Sequence, residues 1–142
     1  MNTENTLQKS EKLPPYLQKA FQCIDAKDFE GLKSFFSDDF CLYFAHWKFR
    51  GIGQGLGFVG AFDHRLPKYE HVIGDIFVGE HVTYFDGVLK IWLDDGTVLE
   101  IPFWDKIAVD PASDKITTMY ALFSIAAVPE EFWKDLNPED FA

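Results

Sequence analysis

The segment Tyr69–Val128 reads YEHVIGDIFVGEHVTYFDGVLKIWLDDGTVLEIPFWDKIAVDPASDKITTMYALFSIAAV, and its period is two almost throughout. From His81 to Asp94, one alternating set is Thr83, Phe85, Gly87, Leu89, Ile91 and Leu93, apolar apart from Thr83. The other set, Tyr84, Asp86, Val88, Lys90 and Trp92, is mixed, as expected of a strand with one face buried. Asp95-Gly96 then supplies the positive φ of a tight hairpin turn. In Thr97–Val109 the residues Leu99, Ile101, Phe103, Ile107 and Val109 share a face with a single charged residue, Asp105. Asp110–Asp114 is turn chemistry, and Lys115–Ala127 is expected to be the last strand. Tyr69–Val78, closed by Gly79-Glu80, is the first. Long sequential strands with short turns predict an antiparallel meander, and Gly74 and Gly87 stand where a bend or bulge is least costly.

The segments before this meander supply the cover for one face of it. Met1–Lys12 is polar, has no signal-peptide apolar core, and is expected to fray. Pro14-Pro15 opens a helix with an apolar stripe of Leu17, Ala20, Phe21 and Ile24. Asp25–Asp28 is a break, and Asp28 caps a short helix bearing Phe29, Leu32, Phe35 and Phe36. Ser37-Asp38-Asp39 reads as a turn, Phe40–Ala45 as a short strand and Trp47–Arg50 as its hairpin return. Gly51–Gly60 carries five glycines, including a glycine-x-glycine-x-x-glycine match, but no parallel β-α-β unit surrounds it and no P-loop lysine follows. A helix over Ile52–Asp63 with Phe58 and Phe62 facing inward is the better reading. Residues 129–142 form a tail or short helix in which Phe132 and Trp133 cover an edge or a cavity mouth.

Composition bounds the functional classes. A chain of 142 residues with 25% charged residues suits one soluble domain. A formal net charge of −10 repels phosphate backbones, so no nucleic-acid partner is expected. No apolar run spans a bilayer, so no membrane partner is expected. Cys23 and Cys41 sit among apolar residues without metal spacing and read as thiols of a cytoplasmic protein. Fifteen phenylalanines either pack a heavily aromatic core or line a cavity with rings.

Three groups of residues resemble motifs of the nuclear transport factor 2-like superfamily, and of its SnoaL-like, polyketide cyclase-like group in particular. They are Ala26–Leu32 followed by Phe35–Phe40, the glycine-rich helix Gly55–Phe62, and the strand signals Gly79–Val82, Trp104–Ile107 and Asp114–Ile116. The likeness covers Pro14 to about Val128. It implies an α+β fold in which a cone-shaped, strongly bent antiparallel sheet wraps around N-terminal helices (a cystatin-like or SnoaL-like α+β barrel). The family includes ketosteroid isomerases, scytalone dehydratase, limonene epoxide hydrolase and polyketide cyclases, and also members that only bind ligands or partners, so the fold does not select the function.

Asp105 is the first catalytic candidate, because a carboxylate on an apolar strand face is desolvated and can act as acid or base near neutral pH. An imidazole beside it completes an acid–base pair, and His46 and His71 compete for that place. His46 extends the face of Phe40, Leu42 and Phe44, whereas His71 shares one with Ile73, Asp75 and Phe77. Tyr43, Tyr84 and Tyr120 are candidate donors to an enolate-like oxygen. Trp47, Trp92, Phe58, Phe62, Phe103 and Phe123 are candidate cavity linings. The chain also departs from the family: Leu122-Phe123-Ser124 lacks a second carboxylate, Ile107 stands where epoxide hydrolases need arginine, and Phe44 stands at the isomerase base position. No metal site and no cofactor are expected. Three alternatives stay open: a cofactor-free lyase, isomerase or cyclase acting on a small apolar molecule; a non-catalytic ligand-binding module; or a dimerisation domain pairing through Glu100, Trp104, Lys106 and Tyr120. A homodimer is expected under all three.

Overall fold

A computed structural model describes residues 6–141. Seven strands and three helices follow in the order β1 (Gln8–Ser10), α1 (Pro15–Asp25), α2 (Phe29–Leu32), β2 (Phe36–Phe44), β3 (Trp47–Arg50), α3 (Ile52–Arg65), β4 (Lys68–Val78), β5 (Val82–Trp92), β6 (Val98–Val109) and β7 (Ile116–Phe123). The strands make one sheet in the order β1-β4-β5-β6-β7-β2-β3. The meander β4–β7 is antiparallel throughout. The sheet as a whole is mixed, because β2 runs parallel to β7. The crossover that permits this pairing is the whole of β3, α3 and the meander, and no period in the sequence encodes it. Among the described residues no helix is long and apolar enough to cross a membrane.

Alternation holds where the sequence is cleanest. Ile101, Phe103, Asp105 and Ile107 of β6 are all buried, while Trp104 between them is 58% exposed. The strand β4 breaks its own alternation. Its pairing with β5 shifts between Ile73 and Ile76, where the Asp75 amide donates to Asp86 Oδ1 at 2.7 Å. The bulge at Gly74 reverses the faces, so Tyr69, His71 and Ile73 turn inward, Ile76 follows, and Asp75 and Phe77 turn out. His71 therefore does not share a face with Asp75 and Phe77. Gly87 lies opposite on β5, and a Cβ there would stand 2.6 Å from Phe103 Cζ and also meet the Val72 carbonyl oxygen. Glycine at 87 lets the Phe103 ring cross the strand.

Three other expectations change. Residues Gln8–Ser10 pair with Ile76–Val78 instead of fraying, since β4 would otherwise present a bare edge; residues 1–5 lie outside the described part of the chain. Ser37, Asp38 and Asp39 belong to β2, within a stretch where its pairing to β7 shifts between Phe36 and Cys41. The last strand stops at Phe123, and Ile125–Ala127 is a 3₁₀ turn.

The helices close the concave face. Asp28 caps α2 by accepting from the Gly31 amide at 3.0 Å. Gly55 brings α3 onto β2, where an added Cβ would lie 3.1 Å from the Phe40 ring. The core is one cluster that includes Leu17, Phe21, Leu32, Phe40, Phe58, Phe62, Ile91 and Ile107, each buried. The tail after β7 lies on α3 and β3: Trp133 meets Trp47 at 6.2 Å and Phe141 meets Phe58 at 5.8 Å between ring centroids.

Candidate functional site

Between α1, α3 and the concave sheet lies a cavity of about 70 Å³. That is several times the minimum needed for one water molecule. Its wall is overwhelmingly apolar, and only Asp63, Tyr69, His71 and Asp105 bring polar side chains to it.

Asp105 enters from β6, opposite Phe85 on one side and Ala121 on the other. It is 6% exposed, and its Oδ1 is buried without a hydrogen-bond partner. An unpaired carboxylate in an apolar wall favours its neutral form. Burial pushes its pKa up to about 7, with the nearby His71 pulling the other way. The conceivable structural partner Lys90 is engaged elsewhere, with Glu100 at 3.6 Å.

His71 comes from β4 at a position turned inward just before the bulge. Its Nδ1 lies 2.6 Å from Asp25 Oδ1 at the end of α1. Phe21, Tyr69 and Phe103 surround the ring edge-on at 5.2, 6.0 and 5.5 Å. Burial alone would depress its pKa, but the hydrogen bond and charge of Asp25, with Asp105 and Asp63, outweigh it and raise the imidazole above its ordinary value. Nδ1 is then the protonated nitrogen, donating to the Asp25 carboxylate, which holds the ring in place.

Asp63, on α3, is a second buried carboxyl, 6% exposed, with its pKa pushed up to about 7 by burial against the charges of His71 and Lys27 and the hydrogen bond to Tyr69. The Tyr69 hydroxyl lies 2.7 Å from the Ile24 carbonyl and 3.2 Å from Asp63 Oδ2. A phenol has one proton, and the carbonyl can only accept. That proton is divided between the shorter contact to the Ile24 carbonyl and the longer one to Asp63 Oδ2, both of which accept from Tyr69 Oη. Burial and Asp63 together raise the tyrosine's own pKa, so it stays a neutral phenol.

Among the residues singled out from the sequence, Asp105, His71, Phe62, Phe103 and Phe123 share the cavity wall. His46 does not: it is exposed in the β2–β3 turn with its ring 4.1 Å from Trp47, because β2 ends at Phe44 and the alternation cannot be extended past it. Tyr43 and Tyr120 stack at 4.3 Å, and Lys106 lies over both Tyr120 and Tyr84, outside the lining. Trp92 sits under Lys68, also outside the lining. Trp47 and Phe58 pack together at 4.9 Å as core and tail support. The sequence reading missed Asp63, Tyr69 and Asp25. A signal for Asp63 existed: Leu56, Val59 and Asp63 follow one helical stripe, and all three line the cavity.

No family model matches the chain, and no curated protein matches it in sequence. Solved structures do match. A protein from Catenulispora acidiphila with a ketosteroid isomerase-like fold, solved with trimethylamine, superposes with a TM-score of 0.70 at 14% identity, covering 90% of this chain and 98% of that one. A provisionally assigned SnoaL-like polyketide cyclase from Shewanella putrefaciens gives 0.68 at 15% identity, covering 82% and 84% of the two chains. An NTF2-like protein of unknown function from an Exiguobacterium species gives 0.65 at 20% identity, covering 77% and 98%. The curled mixed sheet, the helices on its concave face and these superpositions agree: this chain has the SnoaL-like, nuclear transport factor 2-like fold.

Proposed function

We propose that the chain binds a small, largely apolar molecule in this cavity and moves a proton on it without a cofactor, as a lyase, isomerase or cyclase does. The observation that carries the reading is Asp105 Oδ1, buried and unpartnered on the same cavity wall as an imidazole held by Asp25. A carboxyl whose pKa is pushed up to about 7, beside an imidazole whose own pKa is raised, is suited to general acid–base work. Asp105 is the acid or base that meets the ligand, and His71 is its partner. Phe62, Phe103 and Phe123 hold the apolar body and exclude water. His46, exposed in its turn, has no part in this scheme.

The test is proton exchange at carbon. A panel of small ketones and enones is incubated with the protein in D₂O, and deuterium uptake or double-bond migration is followed by NMR. The wild type is expected to accelerate exchange for at least one member, and Asp105→Asn to lose about 100-fold or more of that rate, the usual weight of a general acid–base group. Panel members that bind but never exchange would reduce the site to a ligand-binding module.

A further inference from the structure

The same cavity has a charge imbalance, and it points to a ligand class. The titratable groups that line the cavity with Asp105 are His71 and Tyr69 on β4 and Asp63 on α3, and the Nδ1 of His71 lies 2.6 Å from Asp25 at the end of α1. No lysine or arginine is among the residues lining the cavity. Lys27, whose charge also acts on Asp63, gives its Nζ to the Leu66 carbonyl at 2.9 Å and lies over the Tyr69 ring. When Asp25 is ionised and His71 protonated, those two cancel. The ionised Asp105 then shares the charge of His71 with Asp25, so the group keeps an excess of negative charge, and its own Oδ1 has no hydrogen bond. Such a group calls for a cation.

The rest of the wall suits an organic cation. Phe21, Phe44, Phe62, Phe103 and Phe123 present rings to the cavity, and ring faces attract ammonium groups, more so when water is excluded. A metal ion is less suited: among the described residues no three His, Cys, Asp or Glu side chains are grouped so as to hold one.

We propose that the cavity takes a small apolar amine as its ammonium ion, with the head group donating to Asp105 Oδ1 and the alkyl or aryl body among the phenylalanine rings. The proposal rests on the ligand-site reading above and narrows it. Carboxylate ligands would add negative charge to a site that already has an excess. Uncharged ligands leave Asp105 protonated. Only the cation lets it ionise at little cost, so below neutral pH each ammonium bound releases one proton from the site to solvent.

Isothermal titration calorimetry in buffers of differing ionisation enthalpy tests this. The probes are isobutylammonium and benzylammonium, each against its isosteric alcohol and carboxylate. At pH 7.5 the ammonium ions are expected to bind at least tenfold more tightly than the alcohols, and the carboxylates not at all. At pH 6, close to one proton should be released per ammonium bound. In Asp105→Asn the ammonium preference should fall below twofold while alcohol binding persists. An alcohol binding as tightly as its ammonium, a preference that survives in Asp105→Asn, or ammonium binding with no proton release at pH 6 would overturn the cation proposal and leave the ligand site standing. If no probe of any charge binds, the ligand-site reading itself falls. The proton count uses the wild type alone, so it decides the question even if the variant folds poorly.

Discussion

At the scale of single residues, the cavity is a place where protons are held against their solution preference. Asp63 and Asp105 both have pKa values pushed from 3.8 up to about 7 by burial. The folded state therefore binds protons that the unfolded chain releases between about pH 4 and 7. Stability from these groups is full below the unfolded value and falls as pH rises through the folded one. Asp105→Asn removes one of the two groups, so its urea midpoint should match the wild type near pH 4 and exceed it at pH 8. The expected gap is on the order of 2–4 kcal/mol, from a shift of about three pK units. A variant less stable than the wild type at pH 8 would make Asp105 a structural anchor. His71 has the same sign: its raised pKa gives stability below its unfolded value that fades as pH rises through the folded one. In Asp25→Asn the His71 ring, followed by NMR titration, should titrate at lower pH than in the wild type, since the raising hydrogen bond and charge are gone.

Elements decide which residues can reach the cavity. The alternation of β6 holds through Ile107, so Asp105 is readable from the sequence as an inward carboxylate, and it is buried. Strand β4 was misread past residue 73, because a bulge exchanges faces without leaving a change of period that composition alone identifies. The glycine pair that permits this geometry is testable. Gly87→Ala places a methyl group 2.6 Å from Phe103 Cζ and against the Val72 backbone, so either the ring or the strand must move. A loss of about 2–3 kcal/mol in chemical denaturation is expected, as for overpacked cores. Retained stability would mean that β4 and β5 slide apart easily. On β7, Ala121 is the small neighbour directly opposite Asp105. Ala121→Leu should fill the space before the carboxyl and abolish ligand binding with little change in the outer face, as read by calorimetry with the ammonium probes.

For the whole molecule, the concave and convex faces of the sheet have different tasks. The concave face holds the core and cavity. The convex face presents Val72, Tyr84, Trp104 and Leu122, each at least 36% exposed, around Lys106 and the Tyr43–Tyr120 stack. Exposed aromatic and aliphatic side chains side by side are interface chemistry, and the proposed homodimer would form there. Sedimentation equilibrium should show a dimer for the wild type and a monomer for Trp104→Glu, with cavity binding intact. A wild type that remains monomeric at tens of micromolar would leave the face merely solvated. The C-terminal tail belongs to this scale too, since Trp133 and Phe141 cover Trp47 and Phe58 from outside the sheet.

The sequence by itself determined the period of the meander, the inward face of β6 with its lone carboxylate, the helical cover and the order of elements that resembles the SnoaL-like group. Each of these is local, encoded in spacing within about a dozen residues. Tertiary structure alone decided the parallel pairing of β2 with β7, the reversal of faces in β4, the placing of His71 and not His46 on the cavity wall with Asp105, and the meeting there of Asp63, Tyr69 and a His71 held by Asp25. Those groups come from α1, α3 and β4, and Asp25 and His71 stand 46 positions apart in the chain. Their shared burial and coupled protons arise only when the sheet curls and brings them within a few ångströms.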